Sequence, residues 1–147
     1  MKVPLTKPEI DKNDIKIIKN SFESGWLAHA KYNKDFEIKF AKYVGTKYAV
    51  AVNSCTSALE LALWSNDINE GEVIIPSFTW VSTANVVKLS GCDPVFIDVD
   101  LKTRNIKAEE VEKAITNKTK ALIAVHFAGL PCDMISLRKV CKKYKIL

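Results

Sequence analysis

Glycine and proline are scarce, five of each in 147 residues, which excludes a collagen-like chain or a Pro/Gly-rich disordered one. Cysteine is scarce too. Cys55, Cys92, Cys132 and Cys141 form no CxxC pair, so reduced and mostly buried thiols are expected rather than zinc ligands or disulfides. No apolar run approaches the roughly 20 residues that span a bilayer. The stretch from Met1 to Pro8 has no apolar signal-peptide core, and a soluble cytoplasmic protein without membrane association is expected. Blocks of like charge are also missing. The formal charge is +5 and the lysines lie along helix faces, as on a solvated surface rather than a nucleic-acid-binding one. No G-x-G-x-x-G follows the first strand, which disfavours a small Rossmann-like nucleotide binder. Without a secretory signal, the sequon Asn117-Lys118-Thr119 carries no weight.

Hydrophobic residues make up 48% of the chain, enough for one compact core. Two amphipathic helices open it. Residues 11–24 put Ile15, Ile18 and Phe22 on one face, and residues 34–44 group Phe36, Phe40 and Tyr43; Gly25 and Gly45 provide the stops. Strands and helices then alternate. Strands are expected at 48–52, 72–75, 94–99 and 121–125, and helices at 57–64, 81–90, 108–115 and 134–144. The strands are near-continuous apolar runs, as in parallel strands covered on both faces. The expected fold class is α/β, a three-layer α/β/α arrangement on a mostly parallel sheet with right-handed crossovers. Lys145-Ile146-Leu147 reads as the opening of another strand, so the chain is expected to be a single incomplete domain over 1–147. Residues 1–47 would be its helical segment and 48–147 its first strand–helix units.

Three strand ends carry candidate chemistry. Val52 to Leu59 runs from a strand into a helix, and the free N–H groups of a helix start suit a phosphate. Ser and Thr there also serve as ordinary helix caps, which on spacing alone is the stronger reading. In Pro76-Ser77-Phe78-Thr79-Trp80 an aromatic residue enters the next helix, able to stack on a flat ring or simply to pack in the core. His126, in Val125-His126-Phe127-Ala128-Gly129, is a potential acid, base or ligand, although a lone histidine is more often hydrogen-bonded and structural.

Taken in order, these segments resemble the DegT/DnrJ/EryC1/StrS sugar aminotransferases, of the fold-type I pyridoxal phosphate (PLP) enzymes. The resemblance runs through Ser24-Gly25-Trp26-Leu27, Tyr48 to Thr56, Pro76 to Trp80, Pro94 to Asp100, Thr119-Lys120-Ala121 and His126 to Gly129. It implies that Thr56 and Ser57 hold the PLP phosphate and that Trp80 stacks on the pyridine ring. It also implies that Gly25, Trp26 and Leu27 lie near a nucleotide-sugar site at a homodimer interface. The implied reaction moves an amino group, often from glutamate, to a keto-sugar nucleotide in amino- or deoxysugar and cell-surface polysaccharide synthesis. Ala28-His29-Ala30-Lys31 replaces the family's Thr-Gly-Pro-like turn, and Leu130 stands where Gln is common. The family's pyridine-pairing Asp and Schiff-base Lys would fall beyond Leu147. This chain alone is therefore expected to contain no catalytic residue and not to transaminate. A PLP-dependent sugar dehydratase of the same family and a non-catalytic binding remnant remain alternatives.

Overall fold

The computed structural model describes residues 6–147; Met1–Leu5, part of the stretch read for a leader, lie outside the described residues. The chain divides into two compact units, Met1–Ala51 and Val52–Leu147.

The first unit contains helices α1 (Lys12–Glu23) and α2 (Lys31–Val44). Asp11 caps α1 by accepting the N–H groups of Asn13 and Asp14, while Asp14 accepts the Asp11 N–H in return. This reciprocal cap satisfies donors that the first turn leaves free. Ile15, Ile18 and Phe22 line up as expected, yet all three are exposed. The strand expected at 48–52 does not form. A strand exists only through ladder bonds to a neighbour, and this segment finds a side chain instead: the Ala51 N–H donates to Glu37 Oε1 at 2.8 Å. Tyr48 and Val50 are exposed.

In the second unit, Val52–Leu147, helix α3 (Cys55–Trp64) leads into strand β1 (Glu72–Pro76) and helix α4 (Val81–Leu89). Strand β2 (Asp93–Ile97), helix α5 (Ala108–Ala114), strand β3 (Thr119–Leu122) and helix α6 (Met134–Tyr144) follow. The three strands are parallel in the order β2-β1-β3, so β1 is bonded on both sides. Alternation along β1 divides the core into two. Val73 and Ile75 join Leu63, Val86 and Val87 of α3 and α4 on one face. Ile74 joins Val111, Leu137 and Val140 of α5 and α6 on the other. A strand covered on both faces must be apolar at every position, which explains the unbroken run from Val73 to Ile75. Gly71 has a reason of its own. Its φ is +89°, and a Cβ there would stand 2.5 Å from the Lys118 carbonyl, so only glycine lets β1 enter beside the turn before β3.

The expectation at the last residues is partly met. The Leu147 N–H donates to the Lys120 carbonyl at 3.0 Å, and the Leu147 carbonyl accepts the Leu122 N–H at 2.9 Å. These two bonds are a parallel ladder step on the free edge of β3.

Ile74 is fully buried and Ile135 is exposed. Ile74→Ala should cost about 2–5 kcal/mol in urea unfolding, whereas Ile135→Ala should stay within about 0.5 kcal/mol.

Candidate functional site

Parallel strands emerge at one edge of their sheet, and the loops leaving β1 and β3 meet there beside the start of α3. Between them lies a cleft of about 690 Å³, lined by Cys55 and Leu59 of α3, by Phe78, Thr79 and Trp80 after β1, and by Val125, His126 and Phe127 after β3. The volume is in the range of small-molecule sites. The lining is mostly apolar and aromatic, and no lysine or aspartate contributes to it.

The start of α3 is shaped by Ser54. Its Oγ accepts the Ser57 N–H at 3.1 Å, and the Ser57 hydroxyl donates to Asn53 Oδ1 at 2.8 Å. Ser57 is thus committed to the local cap. The N–H groups of Cys55 and Thr56 precede the first intrahelical bond and add to the positive end of the helix dipole. Cys55 lines the cleft; Thr56 and Ser57 stand next to it in the same turn without lining it. Cys55 is also exposed, contrary to the expectation of mostly buried thiols that Cys92 and Cys132 meet. It caps no core, because it stands at the first position of a helix whose buried residue is Leu63.

Trp80 is the residue preceding α4 and is 77% exposed. It is not packed in the core. Phe78 and Phe127 meet with ring centroids 4.7 Å apart, so one aromatic pair joins the loops after β1 and β3. His126 accepts the Cys132 N–H at Nδ1, 3.1 Å away. That bond assigns the acceptor role to Nδ1 and leaves Nε2 to carry the proton of the neutral ring. Cys132 in turn donates its thiol to the Val125 carbonyl at 3.2 Å, and burial pushes its pKa up.

Sequence reading missed Asn105. It is 5% exposed; its Oδ1 accepts the Phe127 N–H at 3.2 Å and its Nδ2 donates to the Leu130 carbonyl at 3.0 Å. The signal available was weak, a polar residue in a turn between a strand and a helix. Between the two bonded groups lies Ala128, whose φ is +50°. An L-residue in that region costs about 1–2 kcal/mol, which the two Asn105 bonds help to offset beside the turn's own bonds from the Gly129 N–H to the His126 carbonyl and from the Leu130 N–H to the Phe127 carbonyl. Asp100 steadies the segment that carries Asn105. Its carboxylate accepts the N–H groups of Lys102 and Thr103 and pairs with Lys107 at 2.8 Å. The Lys107 ammonium, then these backbone donors, hold the Asp100 carboxyl well below the usual carboxylate range.

Gly25, Trp26 and Leu27 belong to the first unit. Gly25 adopts φ +68° just after α1, and both Trp26 and Leu27 are exposed. His29 follows, with Nε2 3.4 Å from Glu37 Oε1. Glu37 therefore joins this loop and Ala51 to α2.

The family model of the DegT/DnrJ/EryC1/StrS aminotransferases matches residues 8–147. The chain belongs to that family. Solved structures agree with this. The aminotransferase from Psychrobacter cryohalolentis superposes with a TM-score of 0.92 at 33% identity, over 97% of this chain and 37% of that one. DesV from S. venezuelae gives 0.87 at 35% identity, over 90% and 36%. GDP-4-keto-6-deoxy-D-mannose-3-dehydratase from E. coli, with bound hydrated PLP, gives 0.90 at 29% identity, over 98% and 39%. The chain thus spans less than two-fifths of the length of these relatives.

Asp100 contributes stability through a depressed pKa. The contribution is present above the ordinary carboxylate range and fades as pH falls toward the folded-state value. Asp100→Asn should therefore lower Tm near neutral pH, and the gap from the parent protein should narrow steadily as pH falls below the ordinary carboxylate range, read by thermal melts across pH.

Proposed function

We propose that this chain provides the cofactor cleft of a PLP-dependent sugar aminotransferase. One observation carries the reading: a helix start with free N–H groups, an exposed Trp80 and the Phe78–Phe127 pair converge at the carboxyl edge of a parallel sheet. A flat aromatic phosphate ester matches that set. Thr56, with the N–H groups of Cys55 and Thr56, would hold the phosphate, and Ser57 would shape the turn and lend its hydroxyl by exchanging its bond to Asn53. Trp80 would cover one ring face, where an exposed indole gains most from stacking. When bound, PLP supplies an electron sink for charge developing on the substrate carbon. The apolar walls exclude water and strengthen electrostatic interactions inside the cleft. His126, its Nδ1 occupied by Cys132, would present Nε2–H as a donor.

No lysine or aspartate lines the cleft. The groups that would protonate the ring nitrogen and condense with the cofactor aldehyde must therefore come from outside this lining, so we expect the isolated chain to bind without turning over. In the complete enzyme the substrates would be a keto-sugar nucleotide and an amino donor such as glutamate. Gly25, Trp26 and Leu27 would contact the nucleotide sugar, in a homodimer whose subunits share active sites. The setting would be cytoplasmic synthesis of amino- or deoxysugars for surface polysaccharides. No helix among the described residues is long and apolar enough to cross a membrane. A sugar dehydratase is the second reading, favoured by the E. coli relative, which aligns nearly as well.

Cys55 provides the test. It should be alkylated by iodoacetamide ahead of the buried Cys92 and Cys132, and saturating PLP should slow its labelling at least about fivefold. Trp80→Ala should weaken PLP binding about tenfold in an absorbance titration. Labelling of Cys55 indifferent to PLP would count against the site.

A further inference from the structure

We infer that Asn105 is a positioning residue for the aromatic wall of the cleft, acting through Phe127 without lining the cleft itself. The inference rests on the cofactor reading above. Asn105 lies in the segment between β2 and α5, where it lines not the cleft but a separate depression with Asp100, Lys107 and Ser136. That segment is held at both ends. Val99 and Ile106 form a β-bridge, and the Asp100 N–H donates to the Asn105 carbonyl at 2.9 Å. From this base the carboxamide reaches both ends of the turn after β3, accepting from the Phe127 N–H and donating to the Leu130 carbonyl.

A carboxamide alone among small side chains carries an acceptor and a donor fixed about 2 Å apart in one plane. That matches a turn that presents one N–H and one C=O on the same side. The turn holds Ala128 in a conformation that L-residues avoid, so its two internal backbone bonds work against local strain and the Asn105 bonds add to them. The Phe127 ring, which the turn aims, is the half of the Phe78 pair that comes from the β3 side. Loss of the carboxamide therefore frees the turn, releases the ring from Phe78 and opens the cleft wall. His126 and Cys132 form a second tie just beyond, through a different pair of groups, so the loop stays attached while its aromatic end loosens.

The test uses the full-length protein and three variants. Asn105→Ala should raise the PLP dissociation constant about tenfold and speed amide hydrogen exchange over residues 126–130, with exchange in β1 unchanged. Asn105→Asp keeps the acceptor but sets a carboxylate against the Leu130 carbonyl. Its PLP dissociation constant relative to the parent should fall toward one as pH drops and the new carboxyl becomes a donor. Ser90→Ala, which removes a buried hydroxyl at the end of α4, controls for general loss of stability and should leave PLP binding within twofold at a comparable fall in Tm. Equal weakening in Ser90→Ala and Asn105→Ala, or exchange over 126–130 unchanged in Asn105→Ala, would overturn the inference. A parent protein that binds no PLP would instead sink the cofactor reading, while faster exchange in Asn105→Ala would still uphold the clamp.

Discussion

The site depends on β1 being hydrogen-bonded on both sides by parallel partners. Parallel pairing points the carboxyl ends of β1, β2 and β3 the same way, so the loops that follow them gather at one edge. Because both faces are covered by helices, the buried run Val73–Ile75 of β1 has no polar position to spare. Chemistry is therefore displaced to the residues after Pro76, where the chain leaves the sheet. Phe78 and Trp80 follow within four residues, where side chains line the cleft beside the loop after β3.

The arrangement separates rigidity from function. Val73, Ile74 and Ile75 are fixed by two packed layers, whereas the cleft wall is fixed by a few directed bonds. Those bonds form a chain in which each member holds the next. Lys107 and two backbone donors hold Asp100; the Asp100 segment holds Asn105; Asn105 holds the turn that carries Phe127. Few of these links involve apolar burial, and a single deletion in such a network leaves other polar groups without partners, which costs more than the bond itself.

Helices α1 to α6 and the strands of the sheet were legible in the sequence because apolar periodicity and Gly or Pro stops agree locally with the fold. Residues 48–52 were misread for the reason that limits any local signal. The run Tyr48 to Val52 is apolar enough for a buried strand, but ladder partners are a tertiary fact, and here the Glu37 carboxylate claims the Ala51 N–H. Trp80 and Cys55 were visible as residues at strand ends, though nothing local said that one would be so exposed or that the other would line the cleft. Asn105 was illegible: its partners are 22 and 25 residues away, and the strain it offsets, at Ala128, falls on a residue type with no known taste for it. Family resemblance pointed to the segments proposed to hold the cofactor, while the hydrogen bonds show what holds those segments in place.

The central claim is that the start of α3 receives the phosphate of PLP and the aromatic wall receives its ring. A crystal structure of the full-length protein with PLP tests it most directly. The account predicts the phosphate within hydrogen-bond distance of the Cys55 and Thr56 N–H groups, with the ring beside Trp80. A phosphate bound elsewhere, in the depression beside Asp100 and Ser136 for example, would contradict it.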